Sequence, residues 1–168
     1  MNKYRPIRTG GSQLKTILII YHSHSGNVEE MAYAVKKGIE KSKGFQVEMK
    51  KVQDVSWDDL KNAAGIAIGT PDYFDYMAGT VKDFFDRVFY PSQSKVQGSL
   101  TANMPCIFFV SGGTGGMPAI KSLQKIGLAF KFNVIDYINV GTKLTAGTLT
   151  KCEDLGEKLA IESLHRKG

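Results

Sequence analysis

The chain predicts an α/β domain built on one open, parallel, five-stranded sheet with helices on both faces. Three observations predict it. Apolar runs and helix-period stripes alternate five times along the sequence. Three of the strand runs are apolar throughout, the texture of strands buried on both faces, while two are mixed. Segments rich in hydroxyls, aromatics or glycines follow the apolar runs, where such a sheet places its ligands.

Residues 1–13 lack periodicity and end in Thr9-Gly10-Gly11-Ser12, so they are expected to form a flexible leader before a single domain over 14–168. Thr16–Tyr21 is the first continuous apolar strand. A helix over Gly26–Lys41 carries Val28, Met31, Ala32, Val35 and Ile39 on one face. Phe45–Val52 alternates apolar and polar residues, as an edge strand does. Ser56 or Asp58 caps a short helix reaching about Asn62, and Gly65–Gly69 is a third, apolar strand. Trp57, at the entry to that short helix, reads as a packing residue.

The next helix shows Val81, Phe84, Phe85, Val88 and Phe89 at i, i+3, i+4, i+7 and i+8, and Pro91 is expected to stop it. Residues 91–103 read as an irregular polar connection. Pro105–Ser111 is a fourth apolar strand, followed by a helix over about Gly116–Lys131. A fifth strand over Val134–Val140 and a helix over Thr150–His165 complete the set. Strands one, three and four belong in the centre by texture. Strand two alternates and strand five carries Asp136 and Asn139, so both suit edges.

Composition narrows the class. At 168 residues, with 42% apolar and 23% charged residues, the chain has the makeup of a soluble globular domain. No apolar run approaches the roughly 18–20 residues needed to span a bilayer, so no membrane role and a cytoplasmic location are expected. The net charge of +6 comes from a basic leader and scattered helix lysines, a solvated-face pattern that does not point to nucleic acid. His22 and His24 have no neighbouring carboxylate, and no metal site is expected. Cys106 reads as a small buried hydrophobe. Cys152 opens the last helix and, with Leu155, Leu159, Ala160 and Leu164, supplies its buried face, so a structural role is expected; a thiol with its pKa lowered by the helix amino end is the alternative.

Three loops at the carboxyl ends of strands one, three and four carry the chemistry. The first is His22-Ser23-His24-Ser25-Gly26-Asn27-Val28, entering a helix. Its hydroxyls, glycine and amide suit an anion held by free backbone N–H groups. It lacks both GxGxxG and GxxxxGK[ST], so it fits a phosphate monoester better than a dinucleotide or a nucleoside triphosphate. A plain helix cap is the competing reading. The second loop, Gly69 to Gly79, crowds Tyr73, Phe74 and Tyr76 together, which suits stacking on a flat ring or packing beneath the loop. For Asp72 and Asp75 a turn-forming role competes with a catalytic one. The third, Ser111-Gly112-Gly113-Thr114-Gly115-Gly116, lets backbone approach a ligand closely, or is merely a flexible turn.

Together these segments resemble the flavodoxin-like FMN-binding family. Ser23-His24-Ser25-Gly26-Asn27 is similar to the phosphate loop of flavodoxins and related FMN reductases. Gly69 to Phe74, with Met77-Ala78-Gly79, resembles the corresponding loop of tryptophan-repressor-binding-protein-type NAD(P)H:quinone reductases, and Ser111 to Gly116 their third flavin loop. The resemblance covers about 15–166 and implies a three-layer, flavodoxin-like sandwich with strand order 2-1-3-4-5. It also implies FMN as cofactor and electron transfer, or NAD(P)H-dependent reduction of a quinone. Ser23, His24, Ser25, Gly26, Asn27 and Val28 would cradle the phosphate. Pro71, Asp72, Tyr73, Phe74, Asp75 and Tyr76 would line the isoalloxazine. Ser111, Gly112, Gly113, Thr114, Gly115 and Gly116 would contact the pyrimidine edge and the ribityl chain.

Four departures from the family pattern stand out. Val28 occupies a position where flavodoxins place threonine. Asp75 follows Phe74 where the reductases have glycine, which makes a peptide flip beside the flavin less easy. Lys125–Phe132 lacks the reductases' histidines, and a charge of +6 differs from the acidic surface of electron-carrier flavodoxins. The donor, the acceptor, a redox-protein partner and the oligomeric state, homo-oligomer included, stay open. A phosphorylation-controlled receiver domain would need acidic residues where Gly69-Thr70 and His22-Ser23 stand. A flavin-free interaction module on the same fold is the remaining alternative.

Overall fold

The computed structural model describes residues 14–166; the expected leader over 1–13 lies outside the described residues. The main sheet contains β1 (Lys15–Tyr21), β2 (Phe45–Lys51), β3 (Ala63–Pro71), β6 (Pro105–Ser111) and β7 (Asn133–Val140). All neighbours are parallel, in the order β2-β1-β3-β6-β7. Counting the main-sheet strands alone, this is the expected 2-1-3-4-5 order. Two small strands, β4 (Gln93–Ser94) and β5 (Gly98–Ser99), form an antiparallel hairpin inside the connection read as irregular. Ser94 Oγ accepts from the backbone N–H groups of Val96 and Gln97, so a polar segment supplies its own turn chemistry.

Strand periodicity divides the core in two. Leu18, Ile20, Ile66, Ile68, Phe108 and Val110 face α3 (Gly79–Ser92) and α4 (Met117–Phe130). Ile17, Ile19, Ala67, Ile107 and Phe109 point the other way, toward α1 (Asn27–Glu40) and α5 (Ala146–Leu164). Successive side chains leave a strand on opposite faces, so a strand buried on both sides must be apolar at every position. The edge strands β2 and β7 carry the mixed sequences. On β7, Asp136 pairs with Lys158 of α5 at 2.7 Å, which keeps a carboxylate at the sheet margin solvated and partnered.

The short α2 (Trp57–Lys61) is fixed by a reciprocal cap: Asp59 N–H donates to Ser56 Oγ, and the Ser56 backbone N–H donates to the Asp59 carboxylate. Pro91 lies inside the last turn of α3, which ends one residue later; its missing N–H costs a single bond there. The start of α5 differs more. Thr145 caps that helix by accepting from Thr148 N–H, so it begins four residues before Thr150.

That earlier start moves Cys152 away from the helix end, and its burial bears out the structural role over the reactive one. The residue lies in the second turn of α5, fully buried against β1 and α1, and not at a helix amino end. Desolvation disfavours the thiolate and pushes its pKa up to about 12. Cys106, buried in β6, is raised well above the ordinary value for the same reason. Neither thiol should react with a disulfide reagent in the folded protein at neutral pH, whereas both should react in denaturant. Fast labelling of Cys152 in the native state would contradict its burial.

Helices α1 and α5 approach closely through two glycines. A methyl group on Gly38 would overlap the carbonyl of Glu153, and one on Gly156 would overlap the carbonyl of Val35. Around this contact, Lys37 and Lys41 bridge to Glu153 at 3.0 and 2.8 Å. The packing holds α1, and with it the loop at its amino end, against the sheet.

Candidate functional site

The loops after β1, β3 and β6 converge where strand order reverses, between β1 and β3. They enclose a cleft of about 270 Å³. Ser23, His24, Ser25, Asn27 and Val28 line it from the first loop, Pro71, Asp72 and Tyr73 from the second, and Ser111, Gly112 and Gly113 from the third. Gly26, Phe74, Asp75, Tyr76, Thr114, Gly115 and Gly116 lie in the same loops without lining the cleft.

The first loop leaves a helix end open. Gly26 occupies the cap position of α1 at φ +96°, and no side chain caps this end. Ser23 Oγ accepts from Gly26 N–H at 3.2 Å, curling the loop back on itself. A methyl at Gly26 would meet nothing within 4 Å, so the glycine is there for its left-handed backbone and not for space. Val28 is buried with Met31 and Val35, so it anchors the helix through packing. Asn27 reaches across the cleft: its Nδ2 donates to the Thr142 carbonyl at 2.6 Å and lies 3.5 Å from Ser111 Oγ. Ser111 Oγ donates in turn to the Gly141 carbonyl. A fourth loop, 141–145, is thereby tied to the site. Thr142 lines the cleft, and the sequence reading missed it because nothing local distinguishes Gly141-Thr142 from an ordinary turn.

The second loop is a miniature hairpin. Asp72 and Met77 form an antiparallel bridge, and Tyr73 and Tyr76 exchange backbone bonds of 2.9 and 3.2 Å. Phe74 and Asp75 between them take φ of 56° and 61°, the signature of a primed two-residue turn. Three bonds clamp the hairpin base. The Asp72 carboxylate accepts from Ala119 N–H at the amino end of α4, Met77 N–H donates to Ser122 Oγ, and Ala78 N–H donates to Thr70 Oγ1. Asp72 therefore does cap work as well as lining the cleft. Phe74 at the tip is fully exposed, while Tyr73 and Tyr76 are about 40% exposed.

A bulky residue in the left-handed region costs roughly 1–2 kcal/mol, and Phe74 buries no surface to offset it. Phe74→Gly should therefore raise the unfolding free energy by about 0.5–1 kcal/mol in urea denaturation. A loss of stability would mean that the ring is packed.

The third loop turns through Gly115 and Gly116, both at positive φ. Asn139 of β7 donates to the Gly115 carbonyl, and a methyl on Gly116 would press on Val110 at 2.7 Å. Gly112 is the close approach within the cleft, since a methyl there would meet Asp72 Cβ at 2.6 Å.

His22, read from the sequence as a plain loop residue, is held from several sides. Its backbone N–H donates to Gly69, its Nδ1 lies 2.9 Å from Thr80 Oγ1 of α3, and its ring meets Tyr73 edge-on at 6.0 Å. Burial, with a smaller push from His24, lowers its pKa below the ordinary histidine value.

Comparison with known proteins agrees with this geometry. The flavodoxin family model matches residues 19–157. A flavodoxin of Aquifex aeolicus is 29% identical over 148 residues, covering 84% of this chain and 77% of that protein. An NAD(P)H dehydrogenase (quinone) of Acidithiobacillus ferrooxidans is 33% identical over 94 residues, covering 44% of this chain and 47% of its own length. The structure of an archaeal flavodoxin superposes with a TM-score of 0.75 at 25% identity, covering 89% of this chain and 99% of that one. With a family match over most of its length and the strand order and loop placement described above, the chain belongs to the flavodoxin family.

Proposed function

We propose that the chain binds FMN in the cleft and transfers electrons through it. The observation that carries this reading is the uncapped amino end of α1, which opens on the cleft beside a clamped aromatic hairpin. The residues present fit the cofactor. Unpaired N–H groups and the helix dipole favour a phosphate monoester, and Ser23 and Ser25 supply hydroxyls beside them. Tyr73 offers a ring face to a flat heterocycle, and the glycine loop admits backbone close to its other edge. The cleft volume of about 270 Å³ is near the lower end of ligand pockets, which suits a ligand whose ring edge stays at the surface.

FMN supplies the electron-accepting ring. The protein contributes position and environment. Residues of the first loop hold the anionic end, Asn27 ties that loop to 141–145, and the hairpin sets what the ring edge meets. Asp75 places a carboxylate at the hairpin tip, which opposes build-up of negative charge on a nearby ring.

The test is the visible absorption spectrum of the purified protein before and after adding FMN. A flavin band that stays with the protein, or a shifted band on titration, supports the reading. A protein that neither retains nor perturbs FMN leaves only the fold. The quinone dehydrogenase relative favours a second, enzymatic reading, in which NAD(P)H donates hydride and a quinone accepts electrons. Steady NAD(P)H oxidation with a quinone supports the enzyme, and activity only with a separate reductase supports a carrier with a redox-protein partner. Among the described residues no helix is long and apolar enough to cross a membrane, which is consistent with the cytoplasmic location we infer.

A further inference from the structure

We propose that Tyr21 holds the Glu29 carboxylate away from the amino end of α1, so that the chain's own acid does not take the place of the ligand's anionic end. The inference rests on the FMN reading above and adds a positioning residue to it.

Glu29 stands in the first turn of α1, three residues after the cap position at Gly26. From that position a glutamate can reach back to the backbone N–H of the cap residue and close the helix end. The positive pole of the helix dipole favours the same movement. Here the capping contact is not made. The Glu29 carboxylate accepts from the Tyr21 hydroxyl at 2.6 Å, and Gly26 N–H donates to Ser23 Oγ. The two residues immediately before Glu29, Asn27 and Val28, line the cleft, so the acid belongs to the very turn that would meet the anion. Glu30, the other acid of this turn, is exposed to solvent.

The latch is anchored in the core. Tyr21 is the last residue of β1, buried beside Met31 and Val35 on the sheet face that α1 covers. Burial, and then the bond to Glu29, raise the pKa of its hydroxyl, so it stays protonated and donates throughout the neutral range. A hydroxyl bonded to a carboxylate at this distance is charge-assisted and stronger than a neutral pair. Removal of the hydroxyl frees the carboxylate to turn toward the open N–H groups of its own turn. There it would oppose an anionic ligand twice, by filling donors and by like-charge repulsion.

The experiment compares FMN with riboflavin, which lacks the phosphate, by fluorescence quenching in the full chain. Tyr21→Phe, Glu29→Gln and the double variant are measured beside the unmodified protein, with circular dichroism to verify folding. Tyr21→Phe should bind FMN about five- to tenfold more weakly and leave riboflavin affinity within about twofold. In the Glu29→Gln background the same substitution should no longer weaken FMN, because no charge is left to release. Glu29→Asp shortens the arm that reaches Tyr21 and leaves the buried ring untouched. It should bind FMN more weakly than Glu29→Gln does, which gives the same reading should Tyr21→Phe fail to fold. Unchanged FMN affinity in Tyr21→Phe, an equal loss in the Glu29→Gln background, or a parallel loss of riboflavin would overturn this proposal and leave the FMN reading intact. Absence of any FMN binding by the unmodified protein would overturn both.

Discussion

Gly26→Asp is expected to reduce FMN affinity by about two to three orders of magnitude, corresponding to about 3–4 kcal/mol. Two effects add. The cap position of α1 holds φ +96°, which a side chain adopts only with strain. The new carboxylate also faces the anion, and two like charges about 4 Å apart repel by about 4 kcal/mol at the effective dielectric of a protein surface. Gly26→Asn separates the two. Asparagine tolerates the left-handed region and carries no charge, so it should cost less than about tenfold. Fluorescence quenching of added FMN, with circular dichroism to verify folding, measures both. Equal affinities for the folded aspartate variant and the unmodified protein would remove the phosphate loop from the site.

Gly156→Ala should lower the unfolding free energy by about 2–3 kcal/mol, even though alanine gains roughly 1 kcal/mol of helix propensity over glycine. The new methyl overlaps the Val35 carbonyl, a backbone atom that cannot rotate away, so α5 must lift from α1. Because native proteins are stable by only about 5–15 kcal/mol, this loss should be obvious in urea melts. Gly147→Ala, in the first turn of the same helix, is the control: its methyl meets only Thr145 Oγ1 at 3.8 Å, so it should be neutral or slightly stabilising. Gly38→Ala combined with Gly156→Ala should cost less than the sum, since one separation of the helices relieves both overlaps. If Gly156→Ala proves as stable as Gly147→Ala, the close α1–α5 approach is wrong.

The fold was legible because its signals are local. Ile17–Tyr21 and Pro105–Ser111 are continuous apolar runs, and the five-residue stripe of α3 has a helical period that no strand shares. The central and edge strands were told apart by the alternation of strand two and the polarity of Asp136 and Asn139, which is a statement about burial, while the order itself followed from the family resemblance. The failures have equally physical origins. The start of α5 hid behind Ala146-Gly147-Thr148, where glycine suppresses the helix signal and only the Thr145 cap restores it. Cys152 was misplaced with it. The β4–β5 hairpin lacks the hydrophobic alternation that marks a strand.

At the site, the amino end of α1 was readable because a helix end announces itself by a glycine and small polar residues. The partners that organise the site were not. Asp72 meets Ala119, Met77 meets Ser122, and Asn27 meets Thr142, pairs separated by 47, 45 and 115 positions. No window of sequence contains such pairs. His22 was passed over for the same reason, since its anchoring comes from Thr80 and Tyr73 and not from its neighbours in the chain.

The carboxylate of Asp72 has a consequence for how a guest is seated. The cleft lies between the amino ends of two helices, α1 and α4, and each would welcome negative charge. The protein plugs one of these sockets with its own side chain, at 3.1 Å from Ala119 N, and leaves the other unfilled. An elongated molecule with a single anionic tail thus meets a crevice with one vacant terminal. An anionic tail would therefore be drawn to the amino end of α1 and not to that of α4.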